Sequence, residues 1–299
     1  MDAVFIVLPN AMHCESTVRA ANRGVHVLCE KPLAVTPTEC GQMIDACATA
    51  DVKLMTAYRL HFEPSHLAVI EAIRGGVIGP PRAFHGFNTQ SVEDEGNIRL
   101  DADRGGGPLQ DLGVYCVNAA RYLFGADPVE VSGFAAASGD PRFREMPELV
   151  SAVMRFPGDR LATFTCGFGE GKVSEFRVVG TKGDVRVDPA FSFTGDLYSY
   201  TAVDGKTTTK KHPAHDQMAG EIDHFAERVL AGEDPESDGR EGLIDVTVMD
   251  AIMRSVKEGQ AVKLPAFPDK PRPTAEQGKR RPPAEGVTTV NATAPDGSE

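Results

Sequence analysis

Two groups of side chains in this sequence have the types and the spacing that chemistry on an alcohol requires. The first is the tripeptide Glu30-Lys31-Pro32, which directly follows a short apolar segment. The second follows a triple glycine and recurs at intervals of four, three and four residues, so its members share one face of a helix. These members are Asp111, Tyr115, Asn118 and Tyr122. Carboxylate, phenol and amide groups are suited to binding the hydroxyls of a sugar-like molecule.

Each group also has a plainer interpretation. Glu30 and Lys31 alone indicate an exposed turn pair, and Pro9-Asn10 further upstream is an equally weak signal. The polar side chains of the helix could simply face solvent. If they are buried they need partners, because an unsatisfied buried polar group costs roughly 2–7 kcal/mol. On this feature alone we weigh a binding site and a solvent-facing stripe evenly.

Apolar segments that alternate with helical patterns position the first group. Segments 3–8, 25–29 and 52–57 are predicted strands with helices between them. The second helix has a clear start signal, because Thr36 and Glu39 have the spacing of a capping box. This order of elements predicts a parallel sheet with right-handed crossovers.

The carboxyl ends of these strands are expected to form a cofactor site. If segment 3–8 is the fourth strand of a doubly wound sheet, the dipeptide after it lies at the crevice where the strand order reverses. The acidic and basic pair after segment 25–29 then lies beside it, and a Lys there can reach cofactor and substrate together. The residues expected to contact the cofactor are Pro9, Asn10, Glu30 and Lys31. His13 could also lie near the cofactor, although a His at a helix start is more often solvated.

The sequence lacks the front half of such a domain. Three further strand–helix units, about 60 to 80 residues, would precede segment 3–8 and carry the Gly-rich phosphate-binding loop. We therefore expect an α/β fold with a partial, N-terminally truncated Rossmann sheet in residues 1–58. Either the protein begins upstream of Met1 or the chain is a genuine fragment. As written, it is expected to bind NAD(P) weakly and to associate through the uncovered segment 3–8.

The remainder of the chain predicts a second domain and a tail. Residues 59–264 are expected to form an α+β domain with a large, mostly antiparallel sheet, since tight turns join apolar segments and every second position of 162–168 is apolar. Two helices, the second over residues 243–256, close this domain. Residues 265–299 are rich in Pro, Gly, Thr and charge, and are predicted to be a mostly disordered tail.

The bulk composition argues against several classes of protein. The net charge of -12 disfavours nucleic acid as the main partner, because phosphate binding needs a basic surface. The sequence has neither the about 18 to 20 consecutive apolar residues of a membrane span nor a secretory signal pattern. The six cysteines form no CxxC pair and no metal-ligand pattern, so we expect reduced thiols in a cytoplasmic protein. His85 and His224 show no such spacing either, and we assign no metal.

Three stretches resemble the Gfo/Idh/MocA oxidoreductases, a family named for glucose–fructose oxidoreductase and inositol dehydrogenase. The stretches are DAVFIVLPNAMHCESTVRAANRGVHVLCEKPLAVTPTEC from Asp2, GGGPLQDLGVYCVNAARYLFG from Gly105 and EGLIDVTVMDAIMRSVKEGQAVKL from Glu241. The resemblance extends from residue 1 to about Leu264. Its motifs are specific to the family and poorly specific to the substrate.

The resemblance implies roles for individual residues. In the family the Lys of the Glu-Lys-Pro motif contacts substrate and cofactor, which implies that role for Lys31. Many members have His where this chain has Tyr115 and Asp where it has Asn118, and the Tyr and Asn pair resembles the glucose–fructose oxidoreductase branch. Segment 58–64 resembles the same branch and suggests Arg59 as a substrate-binding residue. The branch favours sugars over simple inositols.

The function implied by the resemblance is an NAD(P)-dependent oxidoreductase that acts on a hydroxyl of a sugar or polyol, with the activity of the truncated chain in question. Tyr115 would exchange the proton, and Lys31 would be the nearby cation that a phenol with a pKa of about 10 needs near neutrality. Asp111 would hold a hydroxyl and orient the pair. The expected substrate-binding residues are Lys31, Arg59, Asp111, Tyr115 and Asn118.

Two alternatives stay open at this stage. The chain could be a non-catalytic oligomerisation or sugar-binding fragment that has lost its cofactor half. It could also be a relative that uses tightly held NAD for glycoside cleavage or internal oxidoreduction, because such reactions need the same hydride and proton machinery. The resemblance further implies a homo-oligomer formed through one face of the second-domain sheet.

Overall fold

A three-stranded parallel sheet forms the first layer of the computed structural model, which describes residues 1–268, 270 and 272–283. Its strands are β1 (Ala3–Ile6), β2 (His26–Glu30) and β3 (Leu54–Ala57), paired in that order. All three predicted strands are confirmed, each somewhat shorter than or offset from the apolar segment that predicted it. Because the strands are parallel, their carboxyl ends meet at one edge of the sheet.

Two helices connect these strands. They are α1 (His13–Ala21) and α2 (Pro37–Thr49). The predicted capping box is present at the start of α2: Glu39 N donates to Thr36 Oγ1 at 3.2 Å, and Thr36 N donates to Glu39 Oε2 at 3.0 Å. A short 3-10 turn, Asn10–Met12, precedes α1, so the chain turns at the end of β1 before the helix begins.

A nine-stranded sheet forms the second layer. Every neighbouring pair is antiparallel except β4 with β7, which confirms a mostly antiparallel sheet. Its order is β11-β10-β9-β8-β4-β7-β6-β5-β12. The strands are β4 (Pro81–Ser91), β5 (Glu130–Ala136), β6 (Leu149–Phe156), β7 (Arg160–Gly167), β8 (Gly169–Gly180), β9 (Gly183–Val187), β10 (Leu197–Val203), β11 (Lys206–His212) and β12 (Val262–Lys263).

Four helices complete the fold. They are α3 (Pro64–Arg74), α4 (Val114–Phe124), α5 (Gln217–Ala231) and α6 (Gly239–Glu258). The helix predicted over 108–124 begins as a π-helical turn, Leu109–Gly113, and becomes α-helical at Val114. Gly113 permits this turn to approach the sheet, because a Cβ there would lie 3.0 Å from Cys166 Sγ. The apolar side chains predicted to alternate along β7 are buried, and Phe164 and Cys166 lie beside Gly113 of the π-helical turn.

Part of the segment 265–299, which the sequence predicts to be mostly disordered, packs against helices α3 and α5. Arg74 Nη1 donates to the carbonyl of Pro273 at 2.8 Å, and Lys279 pairs with Glu227 at 2.7 Å. The remainder of that prediction, at 269, 271 and 284–299, lies outside the described residues. The proposed domain boundaries at 58 and 264 stay predictions. None of the helices in the described part of the chain is long and apolar enough to cross a membrane.

Candidate active site

A cavity of about 320 Å³ opens where the carboxyl ends of β1 and β2 meet the second sheet. Residues from both layers line it, so groups far apart in sequence share one space. From the predicted set, the lining includes Pro9, Asn10, Glu30, Lys31, Arg59, Asp111 and Tyr115. A cavity of this size with convergent polar groups is typical of a small-molecule site.

Lys31 joins the two groups identified in the sequence. Its ammonium donates to the carbonyl oxygen and to Oδ1 of Asp111, both at 2.9 Å. The same Nζ lies 4.8 Å from the centroid of the Tyr115 ring. The turn after β2 and the helix after the triple glycine therefore converge on one point, across 80 residues of sequence.

Asp111 lies between two cations. Its Oδ1 binds Lys31, and its Oδ2 accepts from Nε of Arg99 at 2.8 Å. Burial alone would raise the pKa of the Asp111 carboxyl, but the charges of Lys31 and Arg99 outweigh burial and hold the pKa well below its usual range. Asp111 is thus a carboxylate at any ordinary pH, and both of its oxygens are engaged.

Tyr115 is flanked by a second cation. Arg59 donates from Nε to Oη of Tyr115 at 3.3 Å, and its guanidinium carbon lies 4.9 Å from the ring centroid. Two further bonds fix Arg59: Nη2 donates to the carbonyl of Phe191 at 2.6 Å, and Nη1 donates to the side-chain oxygen of Gln217. The phenol oxygen therefore has a defined donor beside it.

The triple glycine brings its loop against the turn that follows β1. Asn10 Nδ2 donates to the carbonyl of Gly105 at 2.7 Å, and Ala11 N donates to the carbonyl of Arg104 at 3.1 Å. Gly105 has φ +77, and a Cβ there would lie 2.9 Å from that of Asn10. A side chain at this position would push the two loops apart, which explains the glycine.

Glu30 lies at the cavity wall with its carboxylate turned to the backbone. Its Oε2 accepts from the backbone N–H of Lys31 at 3.0 Å. Burial raises the pKa of the Glu30 carboxyl and outweighs the lowering effect of the neighbouring Lys31.

His13 neither lines the cavity nor faces solvent, so its position differs from both interpretations of the sequence. The side chain is fully buried rather than solvated. Its Nε2 lies 2.8 Å from the carbonyl of Leu8 and its Nδ1 lies 3.0 Å from that of Pro32. His13 therefore lies between the two loops that line the cavity, with one ring nitrogen facing a backbone carbonyl of each.

Asn118 also lies away from the cavity, which corrects its expected contact with substrate. Its Nδ2 donates to Glu241 at 2.9 Å and to Asp245 at 2.8 Å, and its Oδ1 accepts from His61 Nε2 at 2.7 Å. The reason is helix length, since seven residues add about 10 Å along the axis and carry Asn118 from the cavity into the interior. Tyr122, one turn further, bonds His66 at 2.6 Å.

Sequence reasoning missed a second set of lining residues. Arg99 pairs with Asp111, and Asn88 Nδ2 donates to the carbonyl of Leu112 at 3.1 Å. Others at the cavity are Lys172, Ser174, Phe191, Phe193 and Met218. They come from strands, loops and the start of α5, which only the topology brings together, so no local spacing could have indicated them. No metal-holding cluster of His, Cys, Asp or Glu exists among the described residues.

Two family models match this chain. Residues 1–58 match an oxidoreductase family with an NAD-binding Rossmann fold, and residues 66–186 match the GFO/IDH/MocA C-terminal domain. The D-xylose 1-dehydrogenase [NADP(+)] of Haloarcula marismortui is 35% identical over 269 residues, which cover 88% of this chain and 74% of that protein. A dTDP-3,4-didehydro-2,6-dideoxy-alpha-D-glucose 3-reductase from Actinomadura kijaniata is 29% identical, covering 86% and 77%.

Solved structures show the same fold. The aldose-aldose oxidoreductase from Caulobacter crescentus, complexed with glycerol, superposes with a TM-score of 0.84 at 36% identity and covers 88% of this chain and 79% of that one. A 3-ketoreductase from Actinomadura kijaniata, in complex with NADP and TDP-benzene, superposes with a TM-score of 0.79 at 29% identity, covering 85% and 78%.

Proposed function

The chain belongs to the GFO/IDH/MocA family of oxidoreductases, and we propose that it transfers a hydride between NAD or NADP and a hydroxyl-bearing carbon of a sugar or polyol. The observation that carries the proposal is the cluster of Lys31, Asp111 and Tyr115 at one cavity, beside the carboxyl ends of parallel strands. Relatives named for activity on xylose and on a nucleotide-linked sugar support a carbohydrate substrate.

Proton transfer is the part of the reaction that this cluster would perform. Oxidation of an alcohol removes a hydride from carbon and a proton from oxygen, so the site needs a proton acceptor beside the hydroxyl. We assign that role to Tyr115. In the described part of the chain, the ammonium of Lys31 gives two hydrogen bonds to Asp111, which leaves a third N–H for the substrate oxygen.

Asp111 orients this arrangement. Its carboxylate holds Lys31 on one side and Arg99 on the other, so the ammonium cannot rotate away from the cavity without losing an ion pair. Catalysis depends on such positioning, because misplacement by about 1 Å can cost about a hundredfold in rate.

The residues at the strand ends fit a nicotinamide cofactor. Asn10 and Glu30 line the cavity, and backbone groups engage Asn10 Nδ2 and Glu30 Oε2. Asn10 Oδ1 and Glu30 Oε1 are therefore the atoms that would pair with the amide and hydroxyls of a nicotinamide riboside. Pro9, Asn10, Glu30 and Lys31 would hold that end of the molecule. When bound, NAD(P) supplies the hydride acceptor or donor.

A direct assay tests the proposal. The purified chain is mixed with NAD+ or NADP+ and a panel of neutral sugars, xylose and glucose first, and the absorbance of reduced nicotinamide is followed. We expect sugar-dependent reduction of at least one cofactor. Sugar binding without reduction of either cofactor would favour the non-catalytic alternative. Product formation without net release of reduced cofactor would favour the relatives that retain NAD through turnover.

We also propose that the chain forms a homo-oligomer through the outer face of the nine-stranded sheet. No helix of the described residues covers that face, and it exposes apolar side chains, chief among them Phe134, which is 79% exposed. Val153 and Leu161 on neighbouring strands are exposed on the same sheet. Apolar side chains exposed on several strands of one sheet face are consistent with a protein–protein interface.

A further inference from the structure

Arg59, on the turn after β3, has a position relative to Tyr115 that the sequence did not suggest. The residue is only 4% exposed, yet it lines the cavity. Nε donates to the phenol oxygen at 3.3 Å, so the arginine contacts the very atom that would exchange the proton.

Among the described residues, Arg59 forms no ion pair. Within the described residues its hydrogen bonds go to the phenol of Tyr115, the carbonyl of Phe191 and the amide oxygen of Gln217, all of them neutral. Gln217 is itself fixed, because its Nε2 donates to the carbonyl of Ser192 at 3.0 Å. A buried cation whose hydrogen bonds all go to neutral groups can favour an anion that forms beside it.

Lys31 has a different relation to the same tyrosine. Its ammonium lies near the ring at 4.8 Å from the centroid, and both of its hydrogen bonds go to Asp111, a carboxylate that it shares with Arg99. A contact with the ring attracts the cation to the π-system. It places no N–H on the phenol oxygen.

We propose that Arg59, and not Lys31, is the cation that stabilises the phenolate of Tyr115, while Lys31 binds the substrate oxygen. This rests on the proposed function. In the reducing direction the O–H bond of Tyr115 breaks as an O–H bond forms on the substrate oxygen that gains negative charge with the hydride. The negative charge left on Oη then lies against the Nε–H of Arg59, and oxidation reverses these steps.

Other charged groups lie near Arg59 and Tyr115. Lys31 and Arg99 are the other cations at the Tyr115 end of the cavity, and both are paired with Asp111. Glu30 and Glu221 face Arg59, and burial raises the pKa of both carboxyls despite the nearby arginine. The test therefore has to separate the effect of Arg59 on Tyr115 from that of these neighbouring groups.

The chain offers a clean optical test, because it has five tyrosines and no tryptophan. Tyrosinate absorbance is titrated with pH in the unliganded protein, and subtraction of the Tyr115→Phe titration isolates the transition of Tyr115. We expect Arg59→Met to move that transition to higher pH by about one unit, a tenfold change in the ionisation equilibrium. Lys31→Met is expected to move it less. Because neither substrate nor cofactor is needed, the outcome does not depend on whether the proposed reaction occurs.

Conservative variants keep the test decisive. Arg59→Lys removes the Nε–H donor and keeps the charge, so it should shift the transition in the same direction by a smaller amount, and it serves if Arg59→Met does not fold.

In the active enzyme, Arg59→Met should lower kcat about ten- to a hundredfold, from the loss of a charge-assisted hydrogen bond, with guanidinium ion restoring part of the rate. An unmoved transition in folded Arg59 variants, or a larger shift in Lys31→Met, would overturn the proposal.

Discussion

Asp111 shows how one residue organises this site. It holds a lysine from the first layer and an arginine from a loop of the second, so its carboxylate connects both halves of the cavity. Lys31 and Asp111 are largely shielded from water, with side-chain exposures of 11% and 22%. Ion pairs in such surroundings are screened by salt less than surface pairs are.

Asp111→Asn should therefore reduce stability at neutral pH. The amide leaves two cations without their partner, and we expect a loss of about 1–3 kcal/mol in the free energy of unfolding, measured by urea denaturation. Because the pKa of Asp111 is depressed in the folded state, its contribution is present above the unfolded value near 4 and is lost as pH falls further. The difference between variant and wild type should narrow below pH 4.

A surface pair provides the control. Asp184→Asn breaks the more exposed pair with Arg177 and should change stability by only about 0–1 kcal/mol. Equal losses in both variants would show that the central ion pair has no special weight.

At the scale of elements, the loop that contains Gly105 packs closely against the turn after β1. Gly105 has φ +77, and an added Cβ would meet Val35 Cγ2 at 2.7 Å and Asn10 Cβ at 2.9 Å. Gly139 has a similar backbone, φ +92, but open space around it. Alanine substitutions at the two glycines therefore distinguish backbone strain, which both would have, from the steric contact that only Gly105 would make.

Gly105→Ala should lower both stability and turnover, whereas Gly139→Ala should cost only the strain of a positive φ, about 1–2 kcal/mol. The additional loss in Gly105→Ala reflects displacement of the loop from Asn10. Thermal unfolding and kcat/KM of the two variants measure it. If both variants lose the same stability and keep full activity, the loop contact has no role in the site.

Buried histidines make the second domain sensitive to acid. His66 lies between Tyr122 Oη at 2.6 Å and the carbonyl of Ala190 at 2.7 Å, and burial lowers its pKa to about 4. The unfolded chain takes up a proton near pH 6.5 while the folded chain does not, so stability falls as pH drops through that window. His224 contributes in the same direction, because burial lowers its pKa to about 4 as well.

Unfolding free energies at pH 7 and pH 4.5 measure this effect. We expect a loss from His66 of up to about 3 kcal/mol over the full window, and His66→Gln should flatten the pH dependence. His85→Gln, at an exposed position on β4, should leave it unchanged. A wild-type stability that stays constant down to pH 4.5 would refute the account.

Local signals in the sequence identified most elements and the centre of the site. The capping box of α2 and the alternation in β7 depend on neighbouring residues, so they can be recognised without the fold. The hairpin of β10 and β11 was not predicted, because β11 is KTTTKKH, an exposed edge strand without apolar alternation. Lys31, Asp111 and Tyr115 belong to contiguous motifs. Arg99 and Phe191 do not, since long-range packing alone brings them to the cavity.

At the scale of the whole molecule, the outer face of the nine-stranded sheet is the proposed interface between copies of the chain. Phe134→Glu places a charge in the proposed interface and should convert an oligomer to a monomer in light scattering or sedimentation. Leu230→Glu, at a position 88% exposed on α5, is the matched control and should leave the assembly intact. A wild-type monomer, or equal dissociation by both variants, would rule out this interface.

The proton-exchanging phenol is the central claim, and Tyr115→Phe tests it most directly. The substitution removes one oxygen atom, so the aromatic contacts of the ring with Phe191 can persist. The measurement is the rate of sugar-dependent NAD(P) reduction by variant and wild type, together with cofactor affinity from calorimetry. We predict a loss of turnover of about 10² to 10⁴-fold with nearly unchanged cofactor affinity. Full turnover in Tyr115→Phe would contradict the assignment.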